Sequence, residues 1–150
     1  MKNVKKIVAV LGAGLLILVT GCSSSNSAAT VGKTEIPLKT LQGTVSEIIE
    51  ERNKVETTGL TLATGAELNV NAVRFHVISV LFDDIAERIK VKITDAEIAA
   101  RRADIVLQVG GEDRIAFSLV GAQIAPRDFE RYIRTVLLAE KLGEALKANG

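Results

Sequence analysis

The sequence predicts a mainly α fold: a small bundle of about five helices with one short strand at its start. Three observations carry that expectation. Apolar residues recur at spacings of three and four over most of the chain after Pro37. Thr94-Asp95-Ala96-Glu97 has the spacing of a capping box, which marks a helix start. Glycine or proline marks several of the breaks between periodic runs, as at Gly59, Gly65, Gly110-Gly111 and Pro126. The residues beyond the opening apolar segment suit a single domain of ordinary size, able to bury a real core. Tryptophan is absent and the only methionine is the initiator, so Leu, Ile, Val and Ala must build that core.

Taken in order, Ser23 to Ala28 is small and polar, and is expected as a flexible spacer over 23–28. The folded domain is expected over 29–150. Thr30 to Ile36 sets a glycine between β-tolerant residues and reads as a turn or one short strand. Pro37 suits a first helical turn, where no backbone donor is needed. Leu38, Leu41, Val45, Ile48 and Ile49 then predict a helix over about 37–54, weakened by Gly43. Thr57 to Glu67 carries two glycines and four threonines without a period, and is expected as a loop.

The second helix, about 68–90, shows two apolar stripes, Val70, Val73, Val77, Leu81, Ile85 and Ile89 beside Phe75, Ile78 and Phe82. Two stripes imply burial on more than one side. At the third helix, Thr94 and Glu97 satisfy each other's backbone amides while Ile93 and Ile98 close a hydrophobic staple. Gly110-Gly111 stops it. Glu112 to Val120 reads as a short fourth helix. Pro126 opens the fifth, with Asp128 near its positive end and Phe129, Ile133, Val136, Leu137, Leu142 and Leu146 on its inner face. Asp84 with Arg88, and Glu130 with Arg134, have the spacing of exposed helical ion pairs. Arg127, Arg131 and Arg134 share a face, read as solvated, with lipid headgroups or an acidic partner as the alternative.

Residues 1–22 stand apart. Lys2, Lys5 and Lys6 precede the apolar run from Ile7 to Val19, and Val19-Thr20-Gly21-Cys22 resembles a bacterial lipobox. The apolar run is shorter than the roughly 20 residues of a spanning helix. The resemblance implies that Cys22 is lipidated and becomes the new N-terminus, leaving the domain extracytoplasmic on the outer face of the cell membrane and tethered to the bilayer. Cleavage at Ser27-Ala28-Ala29, giving a free protein, is the alternative. Cys22 is the only cysteine, so no internal disulfide can form. The 19 basic side chains less the three signal lysines leave 16 against 18 acidic, a net charge of −2. That balance gives no electrostatic case for nucleic acid.

Ala29-Thr30-Val31-Gly32-Lys33, Val91 to Ile98, Ala122 to Phe129 and Tyr132 to Leu142 follow one another in an order that resembles the N-terminal domain of SurA-type periplasmic chaperones and PrsA-like foldases. The asparagine usual before the first glycine is missing. In full-length relatives of that family a parvulin-type isomerase domain follows; the resemblance here spans only about 29–146, so the expectation is of the N-terminal domain without isomerase chemistry. The resemblance implies a non-enzymatic, chaperone-like protein whose partners are unfolded or partly folded exported polypeptides. Phe75, Phe82 and Phe117, as the large apolar side chains, are the candidate client-binding residues, with burial in the core as the plainer alternative. Two other readings stay open: a dedicated interaction module of an envelope or secretion complex, and the front piece of a foldase whose isomerase is supplied elsewhere.

No catalytic, metal or cofactor constellation is expected. His76 is the only histidine, and Cys22 belongs to the signal, so zinc lacks its usual converging ligands. His76 with Ser79 superficially pairs a base with a nucleophile, but no third group is evident to orient them. His76 therefore reads as a border histidine on a packed helix.

Overall fold

The computed structural model describes residues 26–148. The signal and Cys22 lie outside the described residues, as does the side chain of Leu146. Over the described residues the fold is mainly helical, with five α-helices and a two-stranded antiparallel sheet.

Strands β1 (Ser27–Val31) and β2 (Thr34–Pro37) form a hairpin, where the sequence predicts a turn or a single strand. Gly32 takes φ 60 in the two-residue turn, a position that favours glycine. Strand β1 begins two residues inside the segment expected as spacer. The Leu38 amide also donates to the Asn26 carbonyl at 2.7 Å, which ties the hairpin's entry to the first helix. Pro37 ends β2 and caps helix α1 (Leu38–Arg52) instead of entering its first turn.

The inner face of α1 is Leu41, Thr44 and Ile48, whereas Leu38 and Ile49 of the predicted stripe are exposed. A Cβ at Gly43 would lie 2.5 Å from Arg127 Nη1, the outer end of an exposed and flexible side chain that can swing aside, so a small residue is tolerated there once Arg127 shifts. Helix α2 (Gly65–Arg88) corrects the reading more strongly. Its buried residues are Leu68, Ala72, His76, Ser79 and Ala86, while Val70, Ile78, Leu81 and Ile89 are exposed. The face turned inward is the small and polar one, because α2 packs against helix α5 (Phe129–Ala148) with Ser79 Oγ 2.9 Å from Thr135 Oγ1. Small side chains let two backbones approach. The two helices run side by side in the same direction, since Asp83 pairs with Arg134 and Phe82 to Ile89 face Ala139 to Ala145.

Helix α3 (Asp95–Val109) starts on the expected capping box. Glu97 N–H donates to Thr94 Oγ1 at 3.3 Å, and Thr94 N–H donates to Glu97 Oε2 at 2.8 Å. Gly110, in the left-handed region, ends it with a Schellman pair: Gly111 N–H to the Val106 carbonyl and Gly110 N–H to the Leu107 carbonyl. Helices α2 and α4 (Ile115–Ala122) end with the same bond pattern at Lys90 and Gln123, which hold φ 60 and 58 without being glycine. A short 3₁₀ turn, Glu112–Arg114, precedes α4, and another, Pro126–Asp128, precedes α5.

The main core lies between α2, α3, α4 and α5, with Ala86, Ile93, Leu119, Ile133 and Leu138 among its buried members. A smaller cluster joins Ile48, Ala63, Leu68 and Ala125. In α5 the predicted Phe129, Ile133, Leu137 and Leu142 are buried, Val136 is half-buried, and Leu138, missed by the pattern, is fully buried.

Candidate functional site

The α2–α5 pair presents a cavity of mixed polar and apolar lining at its amino end and an apolar groove at its carboxyl end. The groove, about 530 Å³, is lined by Phe82, Ile85, Ile89, Val91, Leu142 and the small residues around Gly143. It exists because α5 turns Ala139 and Gly143 toward α2, where larger side chains would close the gap. Ile78, Leu81, Ile85 and Ile89 repeat at helical spacing along α2, and three of them are markedly exposed: Ile78 38%, Leu81 41% and Ile89 48%. Scattered apolar exposure is ordinary; here the exposed residues form a stripe that runs into the groove.

The three phenylalanines do not converge. Phe82 lines the groove and also packs on the core. Phe75 lines the amino-end cavity, its ring edge-on to His76 with centroids 5.1 Å apart. Phe117 is exposed on α4. Only Phe82 lies on the apolar surface that could hold a polypeptide.

At the amino end the sequence reading missed a buried network. His76 is 3% exposed, so it is a core residue and not a border one. Its Nε2 lies 2.9 Å from Thr44 Oγ1, and Thr44 donates to Asp128 Oδ2 at 2.6 Å. A hydroxyl has a single hydrogen. With that hydrogen committed to Asp128, Thr44 accepts from the His76 Nε2–H, so the imidazole donates to Thr44 and is not placed to withdraw a proton from it. Burial lowers the His76 pKa below its ordinary value, partly offset by Asp128 and reinforced by Arg131. Ser79 bonds the Phe75 carbonyl and Thr135, so the superficial His76–Ser79 pairing is not formed. The network could be suspected from sequence at one point only: Thr44 interrupts the Leu41–Ile48 stripe at an inward position.

The cavity beside this network, about 270 Å³, is lined by Thr44, Asn71, Phe75, Gln123, Asp128, Tyr132 and four apolar residues. Gln123 is held in its strained conformation by donors on its Oε1, the Ala63 amide at 3.1 Å and Arg52 Nη2 at 3.2 Å. Asp84 and Arg88 pair at 2.8 Å as expected. Arg134, however, bonds Asp83 on α2 instead of Glu130, and Arg127 bonds Glu47 on α1. Of the predicted arginine face, Arg127 and Arg134 thus bond partners within the fold, while Arg131 is exposed.

Among the described residues, no group of three or more His, Cys, Asp or Glu side chains is arranged to hold a metal. No described helix is long and apolar enough to cross a membrane. Comparison with protein-family models, with curated proteins and with solved structures finds no match to this chain.

Proposed function

We propose that this protein is a membrane-anchored, extracytoplasmic lipoprotein that holds unfolded exported polypeptides without catalysis, as its resemblance to SurA-type N-terminal domains implies. The observation that carries the reading is the apolar stripe of α2 leading into the groove beside Phe82. Apolar contact and desolvation give affinity with little sequence selectivity. Affinity for one short segment is modest, because the client loses chain entropy on binding. The lipobox supplies the second half of the proposal, an anchor on Cys22 that keeps the holding surface near the membrane from which clients emerge.

The test is aggregation suppression with several unrelated unfolded proteins. Wild-type protein suppresses aggregation at modest excess, and the double variant Leu81→Glu/Ile89→Glu does not, although both sites are exposed and the variant folds. Absence of suppression by the wild type sinks the holdase reading. In cells, crosslinking that returns one dominant folded partner would instead identify an interaction module, and Cys22→Ala should move the protein out of the membrane fraction.

A further inference from the structure

Nothing in the holdase reading uses the amino-end cavity, yet its composition is selective. Among the ten described residues that line it, Asp128 is the only one that carries a formal charge, and none is a lysine, arginine or histidine. Asp128 itself is 7% exposed. Its compensation from the fold is a hydroxyl bond from Thr44 and an imidazole 3.9 Å away, while Arg131 lines a separate cleft with His76 and Glu35. A carboxylate buried on these terms gains more from a cation than an exposed one does, because little water competes for it.

The remaining walls define what kind of cation fits. Phe75 and Tyr132 line the cavity, and aromatic rings attract an ammonium head or cover an alkyl stem. Asn71 adds an oxygen acceptor, so an –NH3+ group could direct donors at Asp128 and Asn71, while the Thr44 hydroxyl is engaged by His76 and Asp128. A carboxylate or phosphate would find no cationic partner in this lining. A volume of about 270 Å³ suits a short chain, not a nucleotide or a folded surface.

We propose that this cavity binds an alkylammonium group, borne by a free short-chain amine or by a lysine side chain of an extended polypeptide, with its head on Asp128 and its stem against Phe75 and Tyr132. The site is distinct from the groove and does not depend on the holdase reading.

Calorimetric titration of the full-length chain in detergent tests it, using n-butylammonium chloride, 1-butanol, and the N-acetyl methylamides of lysine and norleucine. Butylammonium and the lysine derivative bind saturably; 1-butanol and the norleucine derivative do not. Asp128→Asn weakens binding by about tenfold or more through loss of the counter-charge. Because that variant alters a buried network and risks misfolding, Ala122→Phe serves as the second: Ala122 is exposed at the cavity wall, so the bulkier ring blocks the space and leaves Thr44, His76 and Asp128 intact. Tighter binding of the lysine derivative assigns the ligand to polypeptides, and tighter binding of butylammonium assigns it to free amines. Failure of butylammonium to bind, equal binding of 1-butanol, or unaltered binding by a folded Ala122→Phe variant overturns the proposal.

Discussion

The two ends of the α2–α5 pair are held by different physics. At the carboxyl end, cohesion comes from apolar packing around Leu137, Leu138 and Ala86, and the surplus apolar surface opens as a groove. At the amino end, the same two helices enclose Thr44, His76 and Asp128, where cohesion depends on each polar group finding its partner. Packing tolerates solvent at its margin, whereas a buried hydrogen-bond chain fails when a single member is lost. The contrast implies that the apolar end can accept variable contacts, while the polar end demands a fixed geometry.

The largest effect should come from the packed end. Leu138 is fully buried, and Leu138→Ala should cost about 3 kcal/mol in chemical denaturation, through lost transfer energy and the cavity left behind. Next comes Thr44→Val, which keeps the shape but strands a buried imidazole N–H and a buried carboxylate. We expect a loss of about 2 kcal/mol. A value near zero would show that water replaces the hydroxyl, and would place the two ends on the same footing.

Acid should separate the ends more finely. Burial holds the His76 pKa below its ordinary 6.5, so the native imidazole stays neutral. From pH 6.5 down to that lowered value the unfolded chain binds a proton that the native chain does not, so stability falls as pH drops through this window and is flat above it. His76→Gln should remove that slope. Glu97 acts at lower pH: Lys141 first, then the Thr94 amide and hydroxyl, hold its pKa at about 2, so its contribution fades as pH falls from 4.5 toward 2. The smallest effect is expected at Lys90, an exposed residue with φ 60. Lys90→Gly should stabilise by about 0.5 to 1 kcal/mol, read as a small rise in the denaturation midpoint.

What was legible in the sequence was local. The Thr94–Glu97 box, the Gly110 stop and the inward spacing of Phe129, Ile133 and Leu137 each depend on residues within a few positions of one another, and each is found where expected. The inner face of α2 was not legible, because amphipathic patterning assigns the interior to Val and Ile. Here close approach to α5 favours Ala72, Ser79 and Ala86, and leaves Val70 and Leu81 outside. The second strand escaped because a short hairpin is defined by its pairing. The polar network escaped because Thr44 and Asp128 stand 84 residues apart and are joined only by the fold. Lys90 and Gln123 terminate helices in a conformation that sequence rules assign to glycine; both make the local helix-end bonds, and Gln123 is held further by tertiary bonds to its side chain from Ala63 and Arg52. Of the candidate client residues, only Phe82 lies at the groove.

Helix α3 buries none of its residues fully, and Leu107 is 78% exposed. Half-buried Ile98, Ile105 and Val106 rest on the core, while Arg101–Glu140 and Glu97–Lys141 ion pairs fasten the helix to α5. Such shallow seating makes α3 the segment whose amide hydrogens exchange with solvent ahead of those of α5, through an opening that costs less than global unfolding. Because exposed ion pairs weaken with ionic strength, added salt should hasten exchange along Asp95–Val109 and leave the amides of Ile133 to Leu138 at their original rate.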